Sequence, residues 1–312
     1  MEALGQLLGT DFLASAVRLA APLVLAALGG ILSERSGVIT IGLEGIMLAG
    51  ALAGVLGAYF AASAWIGLLC AVAAGGTVAA VHAAIAVGFK ADQIVSGAAI
   101  NIGALGLTSF LVRVVFGLQD QKREVPHFTA LPIPGLADLP LVGPILFRQV
   151  GLVYAAFLLV PVLWWVLYRT TWGLRILAAG EHPRAADTAG VNVDRVRAVC
   201  VIACGCAGGL GGAFLSLGQL HFFVDDMVGG RGFIALAALI FGRWDPLGTL
   251  AACLVFGAAD ALQFRLQAFG TGVPHQFLLM FPYVATLAIL VVYAGRAKPP
   301  SALGVPYRPQ EQ

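Results

Sequence analysis

Nine apolar segments separated by short polar links occupy most of this sequence, and they leave a membrane as the solvent in which it can fold. A helix needs about 20 apolar residues to cross the hydrocarbon layer. Such segments fall at roughly 12–32, 39–60, 64–89, 94–117, 150–168, 198–220, 232–243, 247–267 and 276–295. Composition agrees, since 60% of the residues are hydrophobic and 11% are charged, which excludes a pair of soluble domains at this length. The predicted fold is all-α: a polytopic membrane protein of about nine spans, one transmembrane domain over residues 1–312.

Forty glycines lie mostly inside the apolar segments, where they let helix backbones approach and let helices break. Residues 232–243 are too short to cross as a helix and stop at Asp245-Pro246, so they are predicted as a half-helix or one arm of a hinged pair. Gly37-Val38-Ile39-Thr40-Ile41-Gly42-Leu43 and Gly232-Phe233-Ile234-Ala235-Leu236-Ala237-Ala238 both open glycine-interrupted segments. They run in opposite directions, a faint inverted echo of the kind from which transporters build a route. Chance likeness between Gly- and Ala-rich stretches explains it equally well.

Orientation follows from Lys and Arg in the short links. With residues 169–197 inside, that face gathers most of them, from Arg35 and Lys90 through Arg169, Arg175 and Arg195 to Arg296, Lys298 and Arg308. The opposite face holds chiefly Lys122, Arg123, Arg148 and Arg231. The C-terminus is then expected in the cytoplasm and the N-terminus outside. Residues 1–11 are acidic and lack the positive region of a secretory signal, so the first segment is expected to remain as a span. Residues 118–149, with Pro126, Pro132, Pro134, Pro140 and Pro144, form an external loop expected to be stiff and extended, with little regular structure. The scattered basic residues form no stripe for nucleic acid.

The inward link from 169 to 197 carries a compact unit, Gly180-Glu181-His182-Pro183-Arg184-Ala185-Ala186-Asp187-Thr188-Ala189-Gly190. Pro183 suits the first helical position and Gly190 supplies a left-handed stop. The result is a helix of about two turns, too short to be stable alone. Such a knob, edged by Glu181, Arg184 and Asp187, is expected to be offered to a soluble partner.

Chemistry-bearing motifs are missing. The lysines Lys90, Lys122 and Lys298 lack the context of a phosphate-cradling loop, and no HExxH helix, GxSxG elbow or His/Cys cluster occurs. No enzymatic activity, metal or cofactor is expected. Cys70, Cys200, Cys204, Cys206 and Cys253 lie in apolar segments and read as small packing residues. Charges inside spans are expensive, on the order of 3 kcal/mol at a helix centre, so Glu44, Arg113 and Asp260 must face protein or water. Glu44 reads as a solute ligand, an ion pair with Arg35 or a cap on a broken helix; Asp260 reads as a local pair with Arg265. His82 reads as a packing residue. Glu44, Met47, Asn101, Gln219, Phe222 and Phe233 are the candidates for a lining suited to a neutral polar solute.

Leu32-Ser33-Glu34-Arg35-Ser36-Gly37-Val38-Ile39, running into Gly42-Leu43-Glu44-Gly45-Ile46-Met47-Leu48-Ala49-Gly50, resembles the N-terminal signature of ABC importer permeases of the branched-chain amino acid and simple-sugar type. Gly173-Leu174-Arg175 through Gly190-Val191-Asn192, and Gly229-Gly230-Arg231-Gly232 through Gly242-Arg243-Trp244-Asp245-Pro246, resemble the same family. The nucleoside and sugar branch is the most similar. The resemblance implies a permease in a bacterial inner membrane that pairs with a second, homologous permease, a cytoplasmic ATPase and an extracytoplasmic solute-binding protein. It implies that Pro183, Arg184 and their neighbours form the coupling helix, with nucleosides as the first choice of solute and a monosaccharide such as ribose or galactose the second. Thr40 stands where family patterns commonly have Asn. The competing classes are a stand-alone secondary transporter or channel, which would want paired carboxylates at the midplane, and a purely structural anchor.

Overall fold

A computed structural model describes residues 9–117, 123–140, 142–268, 277, 280, 284 and 298–308. Its first helix, α1 (Thr10–Arg35), is apolar on every side and buried along most of its length, the mark of a central helix. After a non-helical break at residues 36–42, α2 (Leu43–Ala61) and α3 (Ala64–Ala83) form an antiparallel pair. The chain widens through a π-helical turn, Ala84–Gly88, and returns as α4 (Gln93–Phe116).

The next link holds strand β1 (Ala130–Pro132), the short helix α5 (Val142–Leu146) and strand β2 (Arg148–Val150), with β1 and β2 antiparallel. The expectation of little regular structure there is corrected: the prolines leave room for a three-residue ladder, with Pro132 at its end opposite Arg148. Helix α6 (Gly151–Arg169) leads to α7 (Thr171–Glu181), the knob helix α8 (Pro183–Thr188) and α9 (Val193–Ala213), which continues as a π-helical segment, Phe214–Leu220. Helix α10 (Arg231–Phe241) and helix α11 (Pro246–Ala268) follow.

Among the described residues seven helices are long and apolar enough to span a membrane, and α10 is the shorter apolar helix expected at 232–243. The chain is a multi-pass membrane protein. Apart from residues 277, 280 and 284, the segment predicted at 276–295 lies outside the described residues, as do Arg296 and Lys122. Two predicted starts move. The segment placed at 39–60 begins as helix at Leu43, because residues 37–42 are non-helical around Gly37 at φ 99°; the one placed at 198–220 begins at Val193, where the Asn192 side chain caps the Arg195 N–H at 2.8 Å.

Small residues set the packing of α2, α3 and α9. A Cβ on Gly50 would lie 2.6 Å from the Gly209 Cα, and one on Gly75 would run into the Gly205 carbonyl. Among lipid-solvated helices such close approach supplies the attraction that burial from water supplies in soluble cores. Around this glycine-cemented trio, α1 is held against α9, α10 and α11.

Candidate functional site: a half-helix clamped at both ends

Helix α10 has 11 residues and so spans ~16 Å, about half the hydrocarbon layer. Its ends therefore leave backbone groups that must find partners inside the protein. At its N-terminus the Glu44 carboxylate accepts from Gly230 N–H at 2.7 Å and Gly232 N–H at 2.6 Å. A Cβ on Gly232 would lie 2.5 Å from the Glu44 Cα, so only glycine lets the two backbones meet. The carboxylate also complements the positive end of the helix dipole.

At the other end, Arg35 Nε donates to the Trp244 carbonyl at 3.0 Å and Nη2 to the Arg243 carbonyl at 3.3 Å. Trp244 Nε1 donates to the buried Glu34 carboxylate at 2.5 Å. Arg243 and Trp244 both lie at left-handed φ, 57° and 54°, a conformation that costs roughly 1 to 2 kcal/mol per non-glycine residue. These contacts hold that turn. One stretch, Glu34 to Glu44, thus presents a cation at the negative end of α10 and an anion at its positive end.

The break between those residues has its own ties. Ser33 Oγ donates to the Val38 carbonyl at 2.8 Å, and the Thr40 hydroxyl donates to Ser33 Oγ. Asn101 accepts from Gly45 N–H at 2.9 Å and donates to the Ile41 carbonyl at 3.0 Å. The Gln93 side chain accepts from Ile39 N–H at 2.8 Å. His82, fully buried, bridges Ser96 Oγ at 2.9 Å and the Ile39 carbonyl at 3.0 Å, which makes it the packing residue expected.

Of the candidates for a lining, Glu44, Asn101 and Phe233 meet around this break, with the Phe233 backbone also directed at Glu44. Met47 is buried, with its methyl group beside Gly211, and packs α2 on α9. Gln219 lines a cavity of about 620 Å³ with Arg18, Arg231, Phe264 and Arg265. Phe222 is half-buried and Phe233 is 48% exposed. Among the three readings of Glu44, the cap on a broken helix is the one built here. The charge of Arg231, from the first turn of α10, acts on Asp260, and Arg265 lies over the Phe12 ring at 5.7 Å. The two echo segments, 37–43 and 232–238, differ in form, the first mostly broken and the second helical, and Gly232 of the second meets Glu44, the residue just after the first.

The knob forms as read from the sequence, Pro183 at the first helical position and Gly190 at φ 83°. Arg184 is exposed. Glu181 and Asp187 are engaged within the chain: Glu181 accepts from Ser301 N at 3.2 Å and Oγ at 2.8 Å, and Asp187 from the Tyr307 hydroxyl at 2.7 Å. Sequence reasoning missed Arg197, which is 2% exposed and donates to the carbonyls of Ser36, Ala179 and Val305 at 3.0, 3.3 and 2.9 Å. Its signal was an arginine set among Val193, Val196 and Val199 at the start of an apolar helix.

Residues 12–292 match the family model described as branched-chain amino acid transport system / permease component. The chain is 45% identical over 299 residues to the guanosine ABC transporter permease protein NupQ of Bacillus subtilis, covering 92% of this chain and 93% of that one. It is 36% identical over 298 residues to the nucleoside ABC transporter permease protein NupC of Lactococcus lactis, covering 92% and 93%. A putative glucose ABC transporter permease protein, TsgC13 of Haloferax volcanii, is 38% identical over 297 residues, with 88% of each chain covered. No solved structure matches.

Proposed function

The chain belongs to the permease-component family of branched-chain amino acid transport systems, and on that premise we propose that it is the membrane subunit of an ATP-driven importer for nucleosides. The observation that carries the solute is the end-to-end likeness to a guanosine permease, 45% identical over 92% of this chain. The motor is a separate cytoplasmic ATPase that docks on the 183–188 knob, and a solute-binding protein delivers cargo from outside. A second, homologous permease completes the pathway. In this reading the 169–197 link and the C-terminus are cytoplasmic, in a bacterial plasma membrane, and the N-terminus and residues 118–149 are external.

The geometry favours movement of α10 as a unit, because Glu44 and Arg35 hold its two ends from one stretch of chain. Tilting the 34–44 stretch would carry α10 with it and reshape the surroundings of Asn101 and Phe233. A stand-alone proton- or sodium-driven carrier is disfavoured, since Glu44 is engaged as a helix cap. A monosaccharide importer is the second reading, supported by the 38% identity to the putative glucose permease.

The test is uptake by the complete transporter in liposomes, with ATP inside and radiolabelled guanosine, adenosine, uridine, ribose or glucose outside. Accumulation of nucleosides alone is the expected result. Accumulation of sugar without nucleoside would replace the first reading by the second.

A further inference from the structure

A knob of 6 residues with one buried side chain, Ala186, grips the bundle weakly through its own packing. The C-terminal segment supplies the rest of the grip. Ala302 N–H donates to the Gly180 carbonyl at 2.8 Å, Ser301 binds Glu181, and the Tyr307 hydroxyl binds Asp187 near the tip of the knob. The same segment reaches the break after α1, where Gly304 N–H donates to the Gly37 carbonyl at 3.1 Å. Arg197 joins the two ends of this path, holding Val305 of the tail, Ala179 of α7 and Ser36 at the break. A guanidinium presents its donors in a rigid planar fork, so these three carbonyls are kept in a fixed relation.

Resting on the reading of the knob as the ATPase dock, we propose that residues 300–307 are a transmission strap. They carry displacement of the knob to the break at residues 36–42, and through Arg35 and Glu44 to α10. Tyr307 is the positioning residue that ties the tip of the knob into this path, and Arg197 is its hub. Glu181 and Asp187, which the sequence offers as docking charges, instead face the strap, and the exposed Arg184 is left for the partner.

The experiment uses the complete transporter in liposomes and reads guanosine taken up per ATP hydrolysed, with retention of the ATPase through purification as a second readout. Loss of folded protein lowers uptake and stimulated hydrolysis together and leaves their ratio unchanged. A slack strap lowers the ratio. Tyr307→Phe is expected to reduce it about tenfold, the lower end of the range for one hydrogen bond to a charged group, while the ATPase remains bound. Ser301→Ala should move the ratio the same way by less. If Tyr307→Phe accumulates poorly, Asp187→Asn, which keeps an acceptor for the phenol, should give an intermediate ratio.

A wild-type ratio in these variants, with the ATPase retained, would overturn the strap. Arg184→Glu separates the underlying reading, since its expected effect is on retention of the ATPase and not on the ratio. It should release the ATPase. Full uptake with retained ATPase in that variant would overturn the docking site itself, whereas ATPase release in Arg184→Glu beside an unchanged ratio in Tyr307→Phe would remove the strap alone.

Discussion

Glu44 serves two backbone N–H groups that have no water to turn to, so its removal is felt at once. Glu44→Ala orphans both donors, at roughly 1 to 3 kcal/mol for each unsatisfied group. Glu44→Gln keeps an acceptor and should cost the smaller part. Thermal unfolding of the detergent-solubilised subunit should rank them wild type, Gln, Ala; equal midpoints for Ala and wild type would show that Glu44 is not the cap. At the other end of α10, Trp244→Phe keeps an aromatic, though smaller, side chain and removes the donor to Glu34. In a double-mutant cycle with Glu34→Gln, the two changes should couple by about 1 kcal/mol or more, and additive effects would contradict that contact. Glu44 was legible in the sequence as a residue with three readings, because a lone acid in a span must be served by something. Arg197 was not, since one of its acceptors lies 108 residues away in the tail.

Helices show the same division. Their existence follows from apolar runs long enough to cross the bilayer, and α10 was recognisable as a half-helix because Asp245-Pro246 cuts it short. The break at 36–42 was hidden, since Val38, Ile39 and Ile41 are as apolar as any helical run, and ties from Asn101, Gln93 and His82, distant in sequence, help to hold them out of a helix. Glycine spacing gave no hint of which glycines are pressed between backbones. Gly50→Ala, at a contact of 2.6 Å with Gly209, should destabilise the fold by about 1 to 3 kcal/mol. Gly103→Ala on α4, with nothing within 4 Å, should be neutral or stabilising by a few tenths up to about 1 kcal/mol. Unfolding midpoints for the pair check this, and equal shifts would contradict the packing of α2 on α9.

A pH dependence is expected where the link between α4 and α6 meets His221. His221 stacks on His127 with ring centroids 3.7 Å apart, and Val125 N–H donates to the His221 carbonyl at 3.0 Å. Partial burial, then the neighbouring His127, hold the His221 imidazole below its ordinary value, against the pull of Glu124. The open form therefore takes up the proton more readily, and the closed contact loses stability as pH falls below the ordinary histidine range of about 6.5. Limited proteolysis of residues 123–140 should accelerate between pH 7.5 and 5.5, and His221→Gln should flatten that dependence. A cleavage rate equally pH-dependent in the variant would assign the effect to another group.

Across the whole molecule, the proposed entry point for force is one small knob, while the clamped half-helix lies inside the bundle. The family signatures that are distant in sequence, Leu32 to Gly50 and Gly229 to Pro246, fold into a single object, α10 with its two charged clamps. Both stretches carry the family resemblance, and in the fold they are in direct contact. The central claim is that this subunit has no engine of its own. Its most direct test is solute accumulation in sealed liposomes holding either the subunit with its partner permease, or the same pair with the ATPase, ATP and loaded binding protein. Accumulation of guanosine above the external concentration is expected in the second preparation alone, and uphill accumulation in the first would contradict the account.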